Sequence, residues 1–150
     1  MPQSLSYVLI HVIFATKDRA PVLTAAVRPA LHAYLATVAR TKHCECYRVG
    51  GVEDHVHLAI RLSRTTTIAN HVEEIKTSAT KWLKSQHPQL ASFAWQRGYG
   101  AFSVAPSGLD ALTRYIDQQE EHHRTTTFQD EYRALLKDYH VEFDERYVWD

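Results

Sequence analysis

The chain has 150 residues, with 17 basic and 17 acidic side chains and a net charge of zero at neutral pH. That length suffices to bury a core and reads most simply as one domain. Its 45% hydrophobic and 23% charged content is that of an ordinary globular protein, and no run is long and apolar enough to span a bilayer.

Residues 6–16, "SYVLIHVIFAT", are apolar and β-branched and predict a buried strand. The segment contains His11 and lacks a basic leader and a small-residue cleavage site, so no signal peptide is expected. After a turn at Pro21, apolar residues at Val27, Leu31, Tyr34, Leu35 and Val38 predict a helix within Thr24 to Arg40, with Pro29 suited only to its first turn. Residues 43–49 alternate like a strand, "GGVED" is a turn, and His55 to Leu62 is a second strand, giving a hairpin. Cys44 and Cys46, the only cysteines, sit two apart on that first strand. They form neither an ordinary disulfide nor a zinc site, which suggests a reducing, cytoplasmic setting.

Thr67 is placed to cap a helix whose stripe is Ile68, Val72, Ile75, Ala79 and Trp82/Leu83. "WQRGYGAFSV", Trp95 to Val104, predicts a fourth strand weakened by its glycines. "SGLD" from Ser107 is a capping box opening a helix to about His122, and "TFQD" from Thr127 opens another with Phe128, Tyr132, Leu135, Leu136 and Tyr139 on one side. The order β-α-β-β-α-β is the ferredoxin-like pattern, an α+β fold with a four-stranded antiparallel sheet, two helices on one face and extra C-terminal helices. The expected organisation is a core over about 5–105, a helix over about 108–123, and a helix with an acidic tail over 127–150. Residues 130–150 carry seven acidic and three basic side chains, which leaves 14 basic and 10 acidic, a net of +4, on the other 129. An acidic tail on a mildly basic body permits a basic face without demanding one.

The segment "DHVHLAI", residues 54–60, carries the strongest chemical signal. His55 and His57 alternate with Val56, so on a strand they share a face about 6.5 to 7 Å apart. Two imidazoles so placed can converge on one cation at about 2.0 to 2.2 Å from each nitrogen. As a bare pattern this is weak, since ten histidines in such a chain yield about 0.7 such pairs by chance. Its apolar flanks and the preceding Asp54 add weight. A histidine-triad hydrolase would need a third histidine at Ala59, and a metallo-β-lactamase-like site would need an aspartate and histidine at Ala59 and Ile60. What remains is the histidine pair of nucleases that cut single-stranded DNA with a tyrosine. "RYIDQQEEHH" supplies Tyr115 with Gln119 one helical turn on, so both project from one face. A purely structural Tyr115, extending the Leu109, Leu112 and Ile116 stripe, is the competing reading.

With "FATKDRAPVL", "GGVEDHVHLAI", "IKTSATKWL", "WQRGYGAFSV", "YIDQQEEHH" and "TFQDEYRALLKDYHVEFDERYVWD" in hand, the chain resembles the single-tyrosine HUH transposases of the insertion-sequence 200/605 type over nearly its whole length. That resemblance implies His55, His57 and Gln119 as metal ligands, Tyr115 as nucleophile, and Mg²⁺ as the metal with Mn²⁺ able to substitute. It implies cleavage of single-stranded DNA near hairpins through a 5′-phosphotyrosine intermediate, followed by rejoining. It further implies a homodimer in which the tyrosine of one subunit serves the histidine pair of the other. Candidates for contacting DNA are Lys76 and Lys81 on the second helix, Arg97 and Tyr99 at the fourth strand, and Lys17 and Arg19 after the first; each alone is more often a solvated surface side chain. His122 and His123 follow the tyrosine helix and either reach the site or face water. A non-catalytic ferredoxin-like nucleic-acid-binding module, and a domesticated relative that cuts repeats without mobilising an element, are the rival readings.

Overall fold

The computed structural model describes residues 1–150. Four strands, β1 (Val8–Ala15), β2 (Glu45–Gly51), β3 (His55–Leu62) and β4 (Gly100–Val104), form one antiparallel sheet in the order β2-β3-β1-β4. Helices α1 (Arg28–Ala39) and α2 (Ile68–Gln86) are the crossovers expected of the ferredoxin-like α+β pattern. Three further helices follow: α3 (Leu109–Asp117), α4 (Gln119–His122) and α5 (Phe128–Asp138). No helix is long and apolar enough to cross a membrane.

The two faces of the sheet are built differently. Ile10, Val12 and Phe14 of β1 and Val56, Leu58 and Ile60 of β3 alternate onto the face covered by Leu31 and Leu35 of α1 and Val72, Ile75, Ala79 and Leu83 of α2. Tyr34 and Trp82 stack at 5.0 Å between the two helices. Each of these fully buried aliphatic side chains contributes roughly 1.5 to 3 kcal/mol, which makes this layer the main source of stability. On the opposite face, Ile13, Ala15 and Phe102 pack against Phe128, Tyr132 and Leu136 of α5. His11, His55 and His57 meet on that second face, and β1 pairs with β3 so that Ala15 lies opposite His55 and Ile13 opposite His57.

Several local expectations are corrected. Helix α1 occupies Arg28–Ala39 of the expected span, with Pro29 in its first turn as expected, where the missing N–H costs nothing. β2 runs over 45–51, and Cys44 precedes it; both cysteines are buried and free. β4 starts at Gly100. Trp95 forms only an isolated bridge with Thr16; the Gln96 N–H still donates to the Ala15 carbonyl at 2.9 Å, while the carbonyls of residues 96–98 bond to Lys76. The Ser107 capping box is not made: Pro106 starts a 3₁₀ turn over Pro106–Gly108 that absorbs Ser107, and Gly108 precedes α3 without a side-chain cap. The helix expected to reach His122 breaks at Gln118, which separates α3 from α4. The caps at Thr67 and Thr127 form as expected, their hydroxyls accepting from the N–H groups of Asn70 and Asp130.

Candidate functional site

The second face of the sheet gathers imidazoles because β3 presents His55 and His57 there and β1 adds His11 between them and β4. His55 and His57 are fully buried, and their rings stand 5.0 Å apart. Across them lies the carboxylate of Glu131, in the first turn of α5, whose side chain is 3% exposed. Its Oε1 is 3.3 Å from His55 Nε2, 3.1 Å from His57 Nε2 and 3.1 Å from His123 Nε2. Its Oε2 accepts from the Tyr115 hydroxyl in a very short hydrogen bond and from Gln119 Nε2 at 3.2 Å. Gln119 Oε1 lies 3.2 Å from His55 Nε2. His122 Nε2 approaches Oε2 at 3.3 Å without hydrogen-bond geometry.

The sequence-predicted four, His55, His57, Tyr115 and Gln119, are therefore brought together, and Tyr115 points its hydroxyl into the polar cluster rather than into the core. They meet within one chain, whereas the resemblance implies a tyrosine supplied by a partner subunit. Glu131, His123, His11 and Asp54 are the additions. His11 Nε2 lies 2.7 Å from His57 Nδ1, and Asp54 Oδ1 lies 2.7 Å from His55 Nδ1. The "EEHH" string announced His123 without saying where it pointed. Glu131 looks in the sequence like an ordinary acidic residue of a helix N-terminus.

Burial and pairing set the charges. Burial favours the neutral ring at His55, but hydrogen bonds to Asp54 and Glu131 outweigh it and raise its pKa to about 9. Burial lowers His57 to about 4 and His11, which also faces His57, to about 3. A consistent proton pattern follows: neutral His11 donates to His57 Nδ1, and His57 donates from Nε2 to Glu131. Burial opposes the charge on Glu131, yet the imidazoles of His123, His55 and His57 hold its carboxyl well below the usual range. Burial, and then the neighbouring carboxylate, push Tyr115 far above an ordinary phenol.

The ligand atoms of His55, His57, His123 and Glu131 all lie within 4.8 Å of one another. Donors about 2.1 Å from a common cation in tetrahedral array stand about 3.4 Å apart. Three imidazoles and a carboxylate so gathered could hold a divalent cation once the widest pair draws in to that spacing.

Of the six candidates for contacting DNA, Lys76, Lys81, Arg97 and Tyr99 line one cleft of about 790 Å³ between α2 and the 93–99 segment, on the far side of the sheet from the imidazoles. Lys76 is not free there: its ammonium donates to the carbonyls of Gln96 at 2.8 Å, Arg97 at 3.3 Å and Gly98 at 2.6 Å, and burial lowers its pKa to about 8. Lys84 is a further cation of the cleft that the sequence reading left out. Lys17 and Arg19 lie outside it. Lys17 borders a small depression with Ser92 and Phe93, and Arg19 stacks on Trp149 at 5.8 Å.

A ferredoxin-like sheet bearing buried paired imidazoles opposite a helix-borne phenol defines the class of protein: an α+β fold with a candidate metal centre beside a tyrosine hydroxyl. Residues 4–119 match the family described as transposase IS200 like, and the chain belongs to that family of transposases. The fold is similar to a crystal structure of a provisionally assigned transposase from Deinococcus radiodurans R1, with a TM-score of 0.64 at 24% identity, covering 79% of this chain and 98% of that one. It is also similar to a REP-associated tyrosine transposase bound to a REP hairpin, with a TM-score of 0.59 at 16% identity, covering 82% of this chain and 74% of that one. At these identities the likeness concerns the fold alone. No curated protein matches the chain.

Proposed function

We propose that this transposase cleaves single-stranded DNA near hairpins, with Tyr115 as nucleophile, and then rejoins strands. The observation that carries the reading is that the Tyr115 hydroxyl and the Nε2 atoms of His55 and His57 converge on one carboxylate. His55 and His57 would hold a divalent cation, Mg²⁺ or Mn²⁺, with the Gln119 amide oxygen beside them. When bound, such an ion withdraws charge from a phosphodiester and orients it.

The chain's own groups do the rest. Asp54 and His11 fix the two rings through their Nδ1 atoms, so that each Nε2 faces Glu131, where the cation would be held. Glu131 orients the phenol. Tyr115 Oη bonds to phosphorus as the P–O3′ bond breaks; the phenolic proton passes to the Glu131 carboxylate that already accepts it, and the departing oxygen takes up one proton to end as a 3′-hydroxyl, so no net proton is gained or lost once Glu131 gives its proton up. The 5′-phosphotyrosine conserves the energy of the broken bond, so a later attack by a 3′-hydroxyl rejoins DNA without ATP. Lys81, Arg97 and Tyr99 supply charge and a stacking surface in the cleft. A tyrosine transposase of the same fold is bound to a REP hairpin, which supports a DNA hairpin as the partner here. A homodimer remains part of the proposal, but one chain brings its own tyrosine to its own imidazoles.

The test is a hairpin-bearing single-stranded oligonucleotide with Mg²⁺ or Mn²⁺. A covalent protein–DNA adduct should survive a denaturing gel, and should vanish on chelation and in Tyr115→Phe. An adduct that persists in Tyr115→Phe assigns the chemistry to another tyrosine. No metal-dependent adduct on any hairpin favours the non-catalytic binding module.

A further inference from the structure

The cleft that carries Lys81, Arg97 and Tyr99 lies on the face of the sheet away from the imidazoles, so a strand held there must round an edge of the sheet to reach Tyr115. β4, which Tyr99 immediately precedes, is an edge strand: in the order β2-β3-β1-β4 its outer side pairs with no other strand. Along that edge runs a second groove, of about 450 Å³, and Tyr99 stands in the wall of both depressions. Five aromatic rings line the groove, those of Tyr99, Phe102, Tyr132, Phe143 and Tyr147, and Gly98 and Gly100 leave its floor without side chains. Phe102 and Tyr132 belong to the apolar cluster of the imidazole face, so the groove leads from one face of the sheet toward the other.

The two depressions differ in charge. Lys81, Lys84 and Arg97 of the cleft are exposed and form no ion pair within the chain, which suits phosphates. The groove has one charged lining residue, Asp150. The nearby carboxylates of Asp144 and Glu145 are already taken, by Arg146 at 2.8 Å and Arg133 at 2.6 Å. Arg146 also lies 5.2 Å from the centre of the Tyr147 ring. Phe143, Tyr147 and Tyr99 keep 40%, 63% and 36% of their surface in water, an apolar area gathered at one place rather than scattered. A cationic track that continues into open ring faces is how single strands are held: charge for the backbone, rings for the bases.

We infer that the groove beside β4 takes the unpaired bases that flank a DNA hairpin, so that the strand leaves its stem in the cationic cleft, rounds β4 at Tyr99 and enters the imidazole face. This rests on the reading of the protein as a hairpin-cutting transposase and deepens it by giving the strand a route. Phe143 and Tyr147 are then base-stacking residues with no part in the chemistry. The cations contiguous with the groove favour a polyanion over a second copy of the chain, which would bring its own cations to the same edge.

The test uses the full chain carrying Tyr115→Phe, so that binding is read without cutting, and two fluorescent DNA probes with the same stem. One is a blunt hairpin; the other adds about four unpaired nucleotides on each side. Stacking of even one base should make the flanked probe bind at least about fivefold more tightly than the blunt one. Adding Phe143→Ala and Tyr147→Ala together should remove that preference, weakening the flanked probe at least about fivefold more than the blunt hairpin. Lys81→Ala should instead weaken both probes by the same factor, within about twofold. Equal affinity of the Tyr115→Phe chain for the two probes, or an equal loss on both from the aromatic substitutions, would overturn the assignment. A dimer that those substitutions dissolve, read by sedimentation, would give the groove to a second copy instead. Should the aromatic variant fail to fold, photo-crosslinking of 4-thiothymidine in the flank to the Tyr115→Phe chain decides. The cross-link should map to Tyr99, Phe143 or Tyr147, and one confined to residues outside the groove refutes the route. The covalent DNA adduct of the unmutated chain is scored separately. An adduct without any flank preference sinks the groove and leaves the tyrosine reading intact. A flank preference lost with the two rings, without any adduct, does the reverse.

Discussion

Helix α3 carries Tyr115, and a single glycine sets how closely that helix approaches the sheet. A Cβ added at Gly50 of β2 would lie 2.6 Å from the Ile116 carbonyl oxygen and 2.7 Å from Ile116 Cγ2. Gly50 also pairs with His57 across the β2–β3 ladder, so β2 cannot retreat without disturbing a cluster imidazole. The oxygen belongs to the helix backbone and cannot rotate away as a side chain would. Gly50→Ala must therefore lift α3 by several tenths of an ångström. Overpacking of this kind costs about 1 to 3 kcal/mol, and a backbone clash belongs at the upper end. At about 2 to 4 °C per kcal/mol for a chain of this size, calorimetry should show a melting temperature lowered by roughly 6 to 12 °C. Since Ile116 adjoins Tyr115, the rate of adduct formation should also fall, on the order of 10- to 100-fold for a displaced nucleophile. A Gly50→Ala chain that melts with the parent and forms adduct at the parent rate would refute the claim that this contact positions the tyrosine helix.

In the presence of a chelator, stability should decline on acidification. Burial holds the pKa of His11 near 3 and of His57 and His32 near 4, so the unfolded chain takes up protons first as pH falls below 6.5. Each ring then removes about 1.4 kcal/mol per pH unit until its folded pKa is reached. His55 acts in the opposite window: raised to about 9, its stabilisation is complete below pH 6.5 and is lost as pH rises toward 9. Urea midpoints should therefore be highest near pH 6.5, and a flat profile from pH 4.5 to 8.5 contradicts this. Thr127→Ala removes the hydroxyl that accepts the Asp130 N–H at 3.1 Å and should cost about 1 kcal/mol, read as a lower urea midpoint. Lys76→Met strands the carbonyls of Gln96, Arg97 and Gly98 and should destabilise by about 1 to 3 kcal/mol in the same assay. Lys81→Ala should leave the midpoint unchanged and reduce the salt dependence of DNA binding by about one ion; equal salt slopes would remove Lys81 from the interface.

Periodicity and local chemistry made much of the molecule legible in the sequence. The apolar, β-branched run over 6–16, the alternation of His55 and His57 with Val56, the stripe from Ile68 to Leu83, and the caps at Thr67 and Thr127 each depend on residues a few positions apart. The shared direction of His55 and His57, and the meeting of Tyr115 with Gln119, follow from the same short-range geometry. The local signal misled at two places: Pro106 opens a turn that takes in Ser107, and the carbonyls of residues 96–98 bond to Lys76, a helix residue 20 to 22 positions away, rather than extending β4. Tertiary structure alone decided what stands at the centre of the site. Glu131 is 74 positions from His57 and reads locally as a helix-dipole residue; only the packing of Phe128, Tyr132 and Leu136 onto Ile13, Ala15 and Phe102 turns it toward the imidazoles. Side-chain direction within an element is a property of a few neighbouring residues. Convergence between elements depends on how whole apolar faces dock, and no short stretch of sequence encodes that.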